Sequence, residues 1–254
     1  MLKKIHIILI IIFLLPAGPA AQEFTAKEII GKANSVLFQE STIAKVKMTI
    51  NTTSGQKREL FFDSWMKNRG EKNLIRYTGP RRVKDQAMLL LNNADDIWSY
   101  FPRTNRVRKL ASHAKKQKMQ GSDFSYEDMG SGDSFLTDFT HKKLGEEDKE
   151  GHNCYKIELT TEEGVDSNYS RMILWIDKET YVVWVIEYYD EKDTERLTKT
   201  LTQSNMKTID GVPTPMNMVM HNHLDNSSTS QELLEIRYNI ELDDDMFTER
   251  GLKK

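Results

Sequence analysis

The chain has 254 residues, of which 38% are hydrophobic and 29% are charged, and its formal net charge is −2. A single cysteine excludes a disulfide scaffold, and the unbiased composition excludes a low-complexity or collagen-like chain. Without a basic excess, the chain lacks the charge with which dedicated nucleic-acid binders hold phosphates. The length favours one domain, or at most two, with a substantial core.

The first 21 residues are typical of a secretory leader. Two lysines precede an apolar run over residues 5–15, and small residues follow it. This run is too short to span a bilayer, which takes about 20 residues. We therefore predict a signal peptide over residues 1–21, cleaved after Ala20 or Ala21. Because no cysteine stands at this junction, the mature protein is expected to be soluble in the periplasm and not itself a lipoprotein.

Residues 22–254 form the predicted domain, which opens with a helix. Thr25 and Glu28 have the spacing of a capping box, and apolar residues recur at helical spacing up to residue 39. From residue 44 the apolar period becomes two, which is typical of strands. Such runs cover residues 44–51, 57–67, 72–78, 86–91, 95–101, 107–110, 141–146, 154–160, 171–176, 181–189, 196–208, 214–223 and 231–240.

Residues 111–139 interrupt this pattern. Residues 111–119 can form a helix, and residues 121–139 are rich in glycine, serine and aspartate. We expect this segment to lie over the sheet as helix and loop.

About ten or eleven antiparallel strands with few helices predict one large curved sheet, or unclosed barrel. Residues 172–176 and 182–186 are apolar at every position, whereas a sheet packed on one side alternates. Either both faces are covered, or one face lines an apolar cavity.

Catalytic signatures are absent from the sequence. It has no Gly-x-Ser-x-Gly, no His-Glu-x-x-His and no glycine-rich phosphate loop. The compact acidic group Asp123, Glu127 and Asp128 is interpreted as structural. Cys154 lies in a strand-like run without a basic neighbour, which predicts a buried, unreactive thiol. We therefore expect a protein that is not an enzyme and has no cofactor.

One strand suggests metal binding as an alternative. Met216, Met218 and Met220 share one face of this strand, and His221 and His223 share the other. Thioether and imidazole groups suit the two oxidation states of copper, but the two sets point apart. A core methionine stripe with solvated histidines is the competing interpretation.

A basic stretch without acids covers residues 97–122. Arg103, Arg106 and Arg108 are its candidate contacts for anionic headgroups or a partner protein, and a solvated charged face is the alternative.

Aromatic side chains in the predicted strands could line a pocket for acyl chains. The candidate lining residues are Trp65, Trp98, Tyr100, Trp175 and Trp184, with Met48 and Leu90 as gap fillers. A simple aromatic core is the alternative.

Three motifs together resemble the outer-membrane lipoprotein-sorting protein family, whose members are LolA-like periplasmic carriers. They are WSYFP (98–102), NRVR (105–108) and GSDFSYED (121–128), with an acidic close near residues 243–247. Residues 80–86 depart from the family because they lack an expected glycine.

The resemblance implies an unclosed antiparallel barrel whose apolar concave face is covered by helices. It also implies a carrier of lipoprotein or lipid cargo between the inner and outer membranes, without a cofactor. The implied partners are an inner-membrane exporter or release complex and an outer-membrane acceptor. A copper-binding protein and a non-catalytic envelope interaction protein remain the alternatives.

Overall fold

A computed structural model describes residues 23–254, so the predicted leader lies outside the described residues. The strands are β1 (Ser41–Asn51), β2 (Lys57–Lys67), β3 (Lys72–Gly79), β4 (Ala87–Leu91), β5 (Asp96–Phe101), β6 (Arg106–Lys109), β7 (Phe139–Lys149), β8 (His152–Thr161), β9 (Tyr169–Asp177), β10 (Val183–Asp190), β11 (Leu197–Ile209), β12 (Val212–Asn222) and β13 (Ser227–Tyr238). The helices are α1 (Ala26–Leu37), α2 (Tyr126–Met129) and α3 (Ser134–Thr137). Within the described part of the chain, no helix has the length and hydropathy needed to cross a bilayer.

All thirteen strands form one antiparallel sheet. Its order is β6-β5-β4-β3-β2-β1-β13-β12-β11-β10-β9-β8-β7, and β6 and β7 are its two edges. The sheet is therefore not closed into a barrel. This confirms the unclosed architecture that the sequence predicted. Each of the thirteen apolar runs overlaps one of these strands, so only the expected total of ten or eleven was too low.

The predicted helix α1 begins at its capping box. The Glu28 amide donates to Thr25 Oγ1 over 3.3 Å, and the Thr25 amide donates to Glu28 Oε2 over 2.8 Å. Ile29, Ile30 and Ala33 are buried beneath the helix. They join a large apolar cluster on one side of the sheet, which we name the inner face.

Residues 111–138 cross the inner face as loops and short helices, and we name them the covering segment. The expected helix over residues 111–119 is replaced by 3-10 turns at Ser112–Lys116 and Met119–Gly121. Lys118, between these turns, forms a β-bridge with Ser125, and Gln120, within the second turn, adopts a φ of 51°. An extended residue and a left-handed one cannot belong to a continuous α-helix.

The opposite side of the sheet, the outer face, carries two further apolar clusters. In the first, the C-terminal residues Leu242, Phe247 and Leu252 pack against Leu74 and Leu89. The second is centred on Cys154, Trp175 and Trp184. The C-terminal segment covers the first cluster, whereas in the second His152 stacks on Trp184, and Lys149 and Lys156 lie over the Trp175 ring.

The C-terminal segment is held on the outer face by polar contacts as well. The Arg76 guanidinium donates to the Gly251 and Leu252 carbonyls, each over 3.2 Å. Lys67 and Lys72 both pair with Asp244.

Replacing Leu252, which is fully buried in the first outer cluster, should destabilise the fold. We expect Leu252→Ala to lower the free energy of unfolding by about 2–5 kcal/mol, because the truncation leaves a cavity in the cluster. Urea unfolding measures this, and Lys253→Ala, at an exposed neighbouring position, is the matched control. Equal stability of the two variants contradicts a structural role for the C-terminal segment.

Candidate functional site

A cavity of about 250 Å³ lies between the inner face, α1 and the covering segment. The sheet forms one wall of the cavity, and this wall extends from β1 and β13 to the strands that flank them in the sheet. The apolar side chains of this wall include Ala44, Val46, Phe62, Met172, Ile186, Leu201, Met218, Met220, Leu233 and Ile236.

The roof of the cavity is formed by α1 and the covering segment. The end of α1 contributes Leu37 and Phe38, and the covering segment contributes Phe124, Met129 and Phe135. The Phe38 and Phe135 rings pack edge to face with centroids 6.5 Å apart. The cavity is thus lined mainly by adaptable apolar side chains, which is the usual lining of a site for an apolar ligand.

One end of the cavity contains a buried polar network. Lys199 Nζ lies 3.1 Å from Asp128 Oδ2 and 2.9 Å from the Tyr169 hydroxyl, which donates to Asp128 Oδ1 over 2.7 Å. Burial raises the pKa of Tyr169 well above its ordinary value, so its hydroxyl stays protonated. The network balances one buried negative charge with one positive charge.

Glu127, beside this network, has no basic partner among the described residues. Its carboxylate accepts hydrogen bonds from the Ser167 hydroxyl over 2.5 Å and from the Asn168 amide over 2.9 Å. Burial raises the pKa of the Glu127 carboxyl, while those two hydrogen bonds act in the opposite direction. It therefore holds residues 167–168 against α2.

The GSDFSYED motif fixes the covering segment to the sheet. The buried Asp123 carboxylate accepts hydrogen bonds from Ser227 over 2.6 Å and from Thr229 over 2.8 Å, both on β13. Further along, Ser125 and Asp128 form the capping box of α2. These contacts agree with the structural interpretation of the three acidic residues, because each carboxylate bonds to a different element.

Close backbone packing fixes the next part of the covering segment. Gly132 has a φ of +46°, and a Cβ there would lie 2.4 Å from Asn93 Oδ1. A Cβ on Gly130 would lie 2.6 Å from the Ala94 Cβ. Only glycine allows this approach to the turn between β4 and β5.

None of the seven candidate lining residues is in the cavity wall. Trp65, Trp98 and Tyr100 lie on the outer face under the C-terminal segment, and Trp175 and Trp184 lie in the second outer cluster. Met48 and Leu90 belong to the inner core but not to the lining. Neighbouring residues of a strand point to opposite faces of the sheet. An error of one position in assigning the faces therefore places an outer-face residue in the cavity lining.

The basic stretch divides into paired lysines and free arginines. Within residues 23–254, Lys109, Lys115, Lys116 and Lys118 each form an ion pair with a carboxylate. The exposed Arg103, Arg106 and Arg108 form none. The structure thus brings these three arginines to one sheet edge with their charges available.

The methionines and histidines of β12 occupy opposite faces, as the spacing predicted. Met218 and Met220 line the cavity, whereas the His221 and His223 rings pack edge to face, 4.7 Å between centroids. In the described ranges, no three His, Cys, Asp or Glu side chains are grouped as they would be to hold a metal ion.

Cys154 is fully buried and forms no disulfide. Burial, together with nearby carboxylates, raises the pKa of its thiol to about 12. The thiol is thus protonated at neutral pH, in agreement with the predicted unreactive state.

The fold and cavity define an unclosed antiparallel barrel with an apolar cavity on its inner face, and three solved structures share the fold. An outer-membrane lipoprotein-sorting protein domain from Vibrio parahaemolyticus is 26% identical, with a TM-score of 0.81 over 90% of this chain and 98% of that one. A DUF1329 family protein from Desulfovibrio piger is 27% identical, with a TM-score of 0.80 over 89% and 97% of the two chains.

The third structure is a LolA superfamily protein from Nitrosomonas europaea, 21% identical, with a TM-score of 0.75 over 90% and 100% of the chains. A family model described as "uncharacterized protein" matches residues 69–254, and no curated protein matches the sequence. The chain belongs to the family that this model describes, and it shares the fold of the LolA-like structures. These matches support the LolA-like resemblance that the sequence motifs indicated.

The raised pKa of Glu127 predicts a pH-dependent stability. Because the pKa is raised in the folded state, folding favours the protonated Glu127 carboxyl. The stability that the protonated carboxyl contributes is fully present below about pH 4.5, and it is lost as the pH rises through the folded-state pKa. Glutamine does not titrate, so the Glu127→Gln variant should not lose this stability. We therefore expect the free energy of unfolding of the variant, relative to that of wild type, to increase with pH.

Urea unfolding between pH 4 and pH 8 measures the difference, with Glu163→Gln, at an exposed position, as the control. A pH dependence shared by wild type and Glu127→Gln contradicts the assignment.

Proposed function

We propose that this protein is a periplasmic carrier that binds acyl chains of lipoproteins or lipids in the cavity and moves them between the inner and outer membranes. The observation that carries the proposal is the apolar cavity between the inner face and its cover. The lipoprotein-sorting domain with the same fold supports it, as does the predicted leader. The proposed role is binding and transfer, without catalysis.

The cavity lining favours a hydrocarbon over a polar ligand. Several of its polar side chains bond to the protein itself: Asn73 donates to the Met129 carbonyl, Gln203 to the Val183 carbonyl, and Asp128 pairs with Lys199. Most of the remaining wall is apolar. Burial of each methylene contributes about 0.8 kcal/mol, so one acyl chain supplies a sufficient driving force.

The cavity must enlarge to take a whole chain. Its volume of about 250 Å³ lies below the roughly 300–1,000 Å³ of pockets that bury drug-sized ligands. We propose that α1 moves, because the covering segment is fixed by buried polar groups while α1 packs mainly through apolar side chains. Its polar tie to the covering segment is the bond from Asn34 Nδ2 to Asp133 Oδ1, at 2.6 Å.

Transfer would then follow from differences in affinity between donor, carrier and acceptor, with the open and closed states of α1 in equilibrium. The proposed donor is an inner-membrane exporter or release complex, and the proposed acceptor lies at the outer membrane. Native mass spectrometry of detergent-free periplasmic protein tests the proposal directly. An added mass that extracts into organic solvent supports it, and a bare protein that also refuses added lipid contradicts it.

Filling the cavity should block binding of a fluorescent fatty acid. We expect Ala44→Trp, or the milder Ala44→Leu, to weaken binding by about tenfold or more, because the new side chain occupies the space of the ligand. Val219→Trp, on β12 at a surface position, is the size-matched control.

Trp98→Leu, on the outer face, should also leave binding unchanged. Loss of binding in Trp98→Leu but not in Ala44→Trp would place the site on the other face of the sheet. Circular dichroism checks that each variant is folded.

Releasing α1 should speed ligand entry. Asn34→Ala removes the bond to Asp133, whose carboxylate keeps its ion pair with Arg69, and it also removes Asn34 Oδ1, which has no hydrogen-bond partner. We expect stopped-flow uptake of the fatty acid to accelerate several-fold, whereas Ser35→Ala, on the exposed side of α1, leaves the rate unchanged. An unaltered rate in Asn34→Ala contradicts movement of α1 as the gating step.

A further inference from the structure

The open edge of the sheet at β6 carries a cleft rich in arginine. It is lined by Gln86, Phe101, Pro102, Arg103, Thr104 and Arg108. Two guanidinium groups, a hydroxyl and a side-chain amide thus share one small concavity. All four are hydrogen-bond donors, and guanidinium forks match the oxygens of a phosphate.

The charge around this cleft is strongly positive. Arg103, Arg106 and Arg108 are exposed on one side, and Arg81, Arg82 and Lys84 are exposed in the loop between β3 and β4. No carboxylate forms an ion pair with any of these six within residues 23–254. Asp85 is the one acidic residue in these two stretches, although the chain as a whole carries −2. The positive charge is therefore local to this edge.

An aromatic side chain lies within the basic surface. Phe101 is 38% exposed, and the Arg108 guanidinium carbon lies 6.0 Å from the centre of its ring. An exposed aromatic ring beside cationic groups suits a membrane interface, where the ring enters the headgroup region and the cations meet phosphates.

The cleft is also connected to the cover of the cavity. Gln86, in the cleft wall, accepts a hydrogen bond from the Gln120 amide over 3.2 Å. The Arg58 guanidinium in turn donates to the Gly121 carbonyl over 3.0 Å. The basic edge therefore adjoins the covering segment.

We propose that the cleft between Arg103 and Arg108 binds the phosphate group of an anionic phospholipid, and that the β6 edge is the surface that docks on a membrane. The exposed Phe101 favours a bilayer over an acidic protein, because an aromatic ring beside a guanidinium can enter the headgroup region while the cations meet phosphates. The proposal deepens the carrier function by naming the contact surface, but membrane docking does not require that the cavity hold an acyl chain.

Vesicle flotation tests the proposal with residues 22–254. Wild type should float with vesicles of phosphatidylcholine containing 30% phosphatidylglycerol and not with phosphatidylcholine alone. Arg103→Gln/Arg108→Gln should weaken binding about 25-fold, roughly fivefold for each cation lost near the surface. Phe101→Ser should also weaken binding, and 0.5 M NaCl should abolish it.

The matched control is Arg196→Gln/Arg237→Gln, which removes the same charge from exposed positions elsewhere. Equal loss in both double variants, equal binding to neutral vesicles, or no vesicle binding overturns the proposal. Tight binding of inorganic phosphate without vesicle binding also overturns the membrane assignment.

Fatty-acid binding in the absence of vesicles keeps the two proposals apart. The Arg103→Gln/Arg108→Gln variant should bind the fatty acid like wild type. Fatty-acid binding without vesicle docking refutes the docking surface alone, and docking without fatty-acid binding refutes the carrier alone.

Discussion

The Asp123 carboxylate, buried between the hydroxyls of Ser227 and Thr229, joins the covering segment to β13 near the middle of the sheet. Its negative charge is stabilised by short hydrogen bonds and by Lys118, which also reaches Asp225. Breaking such a contact would leave a carboxylate and two hydroxyls unpaired in the interior, which is costly. The roof of the cavity, the position of Phe124 and the start of α2 all depend on this attachment.

The sequence was sufficient for α1, for the positions of the strands and for one face of β1. Alternation places Ala44 and Val46 on one face, and both line the cavity. The sequence was insufficient to assign the tryptophans to a face of the sheet. In strands that are apolar on both faces, alternation of apolar and polar residues does not distinguish the two faces. The outer face is covered by Phe247 and Leu252, which are more than 140 residues from Trp98 in sequence, and only the folded chain brings them together.

The same limit applies to the charged residues. A run of cations without acids looks uniform in sequence, yet Lys116 and Lys118 form ion pairs with acids of distant loops, namely Asp166, Glu191 and Asp225. The arginines at the β6 edge have no such neighbours in the described chain, because an edge strand has a partner on one side only. Position in the sheet, rather than local composition, therefore separates structural cations from available ones.

The strand order has a mechanical consequence. β6 and β7 are consecutive in the chain but lie at opposite edges of the sheet, so the chain between them must cross the whole inner face. The covering segment is thus a connection of fixed contour length, or strap, between the two edges of the sheet. If the sheet flattens and its edges separate, the strap tightens over the cavity, and if the edges approach, it slackens. Curvature of the sheet and tension in the covering segment are in this way coupled through a single stretch of backbone.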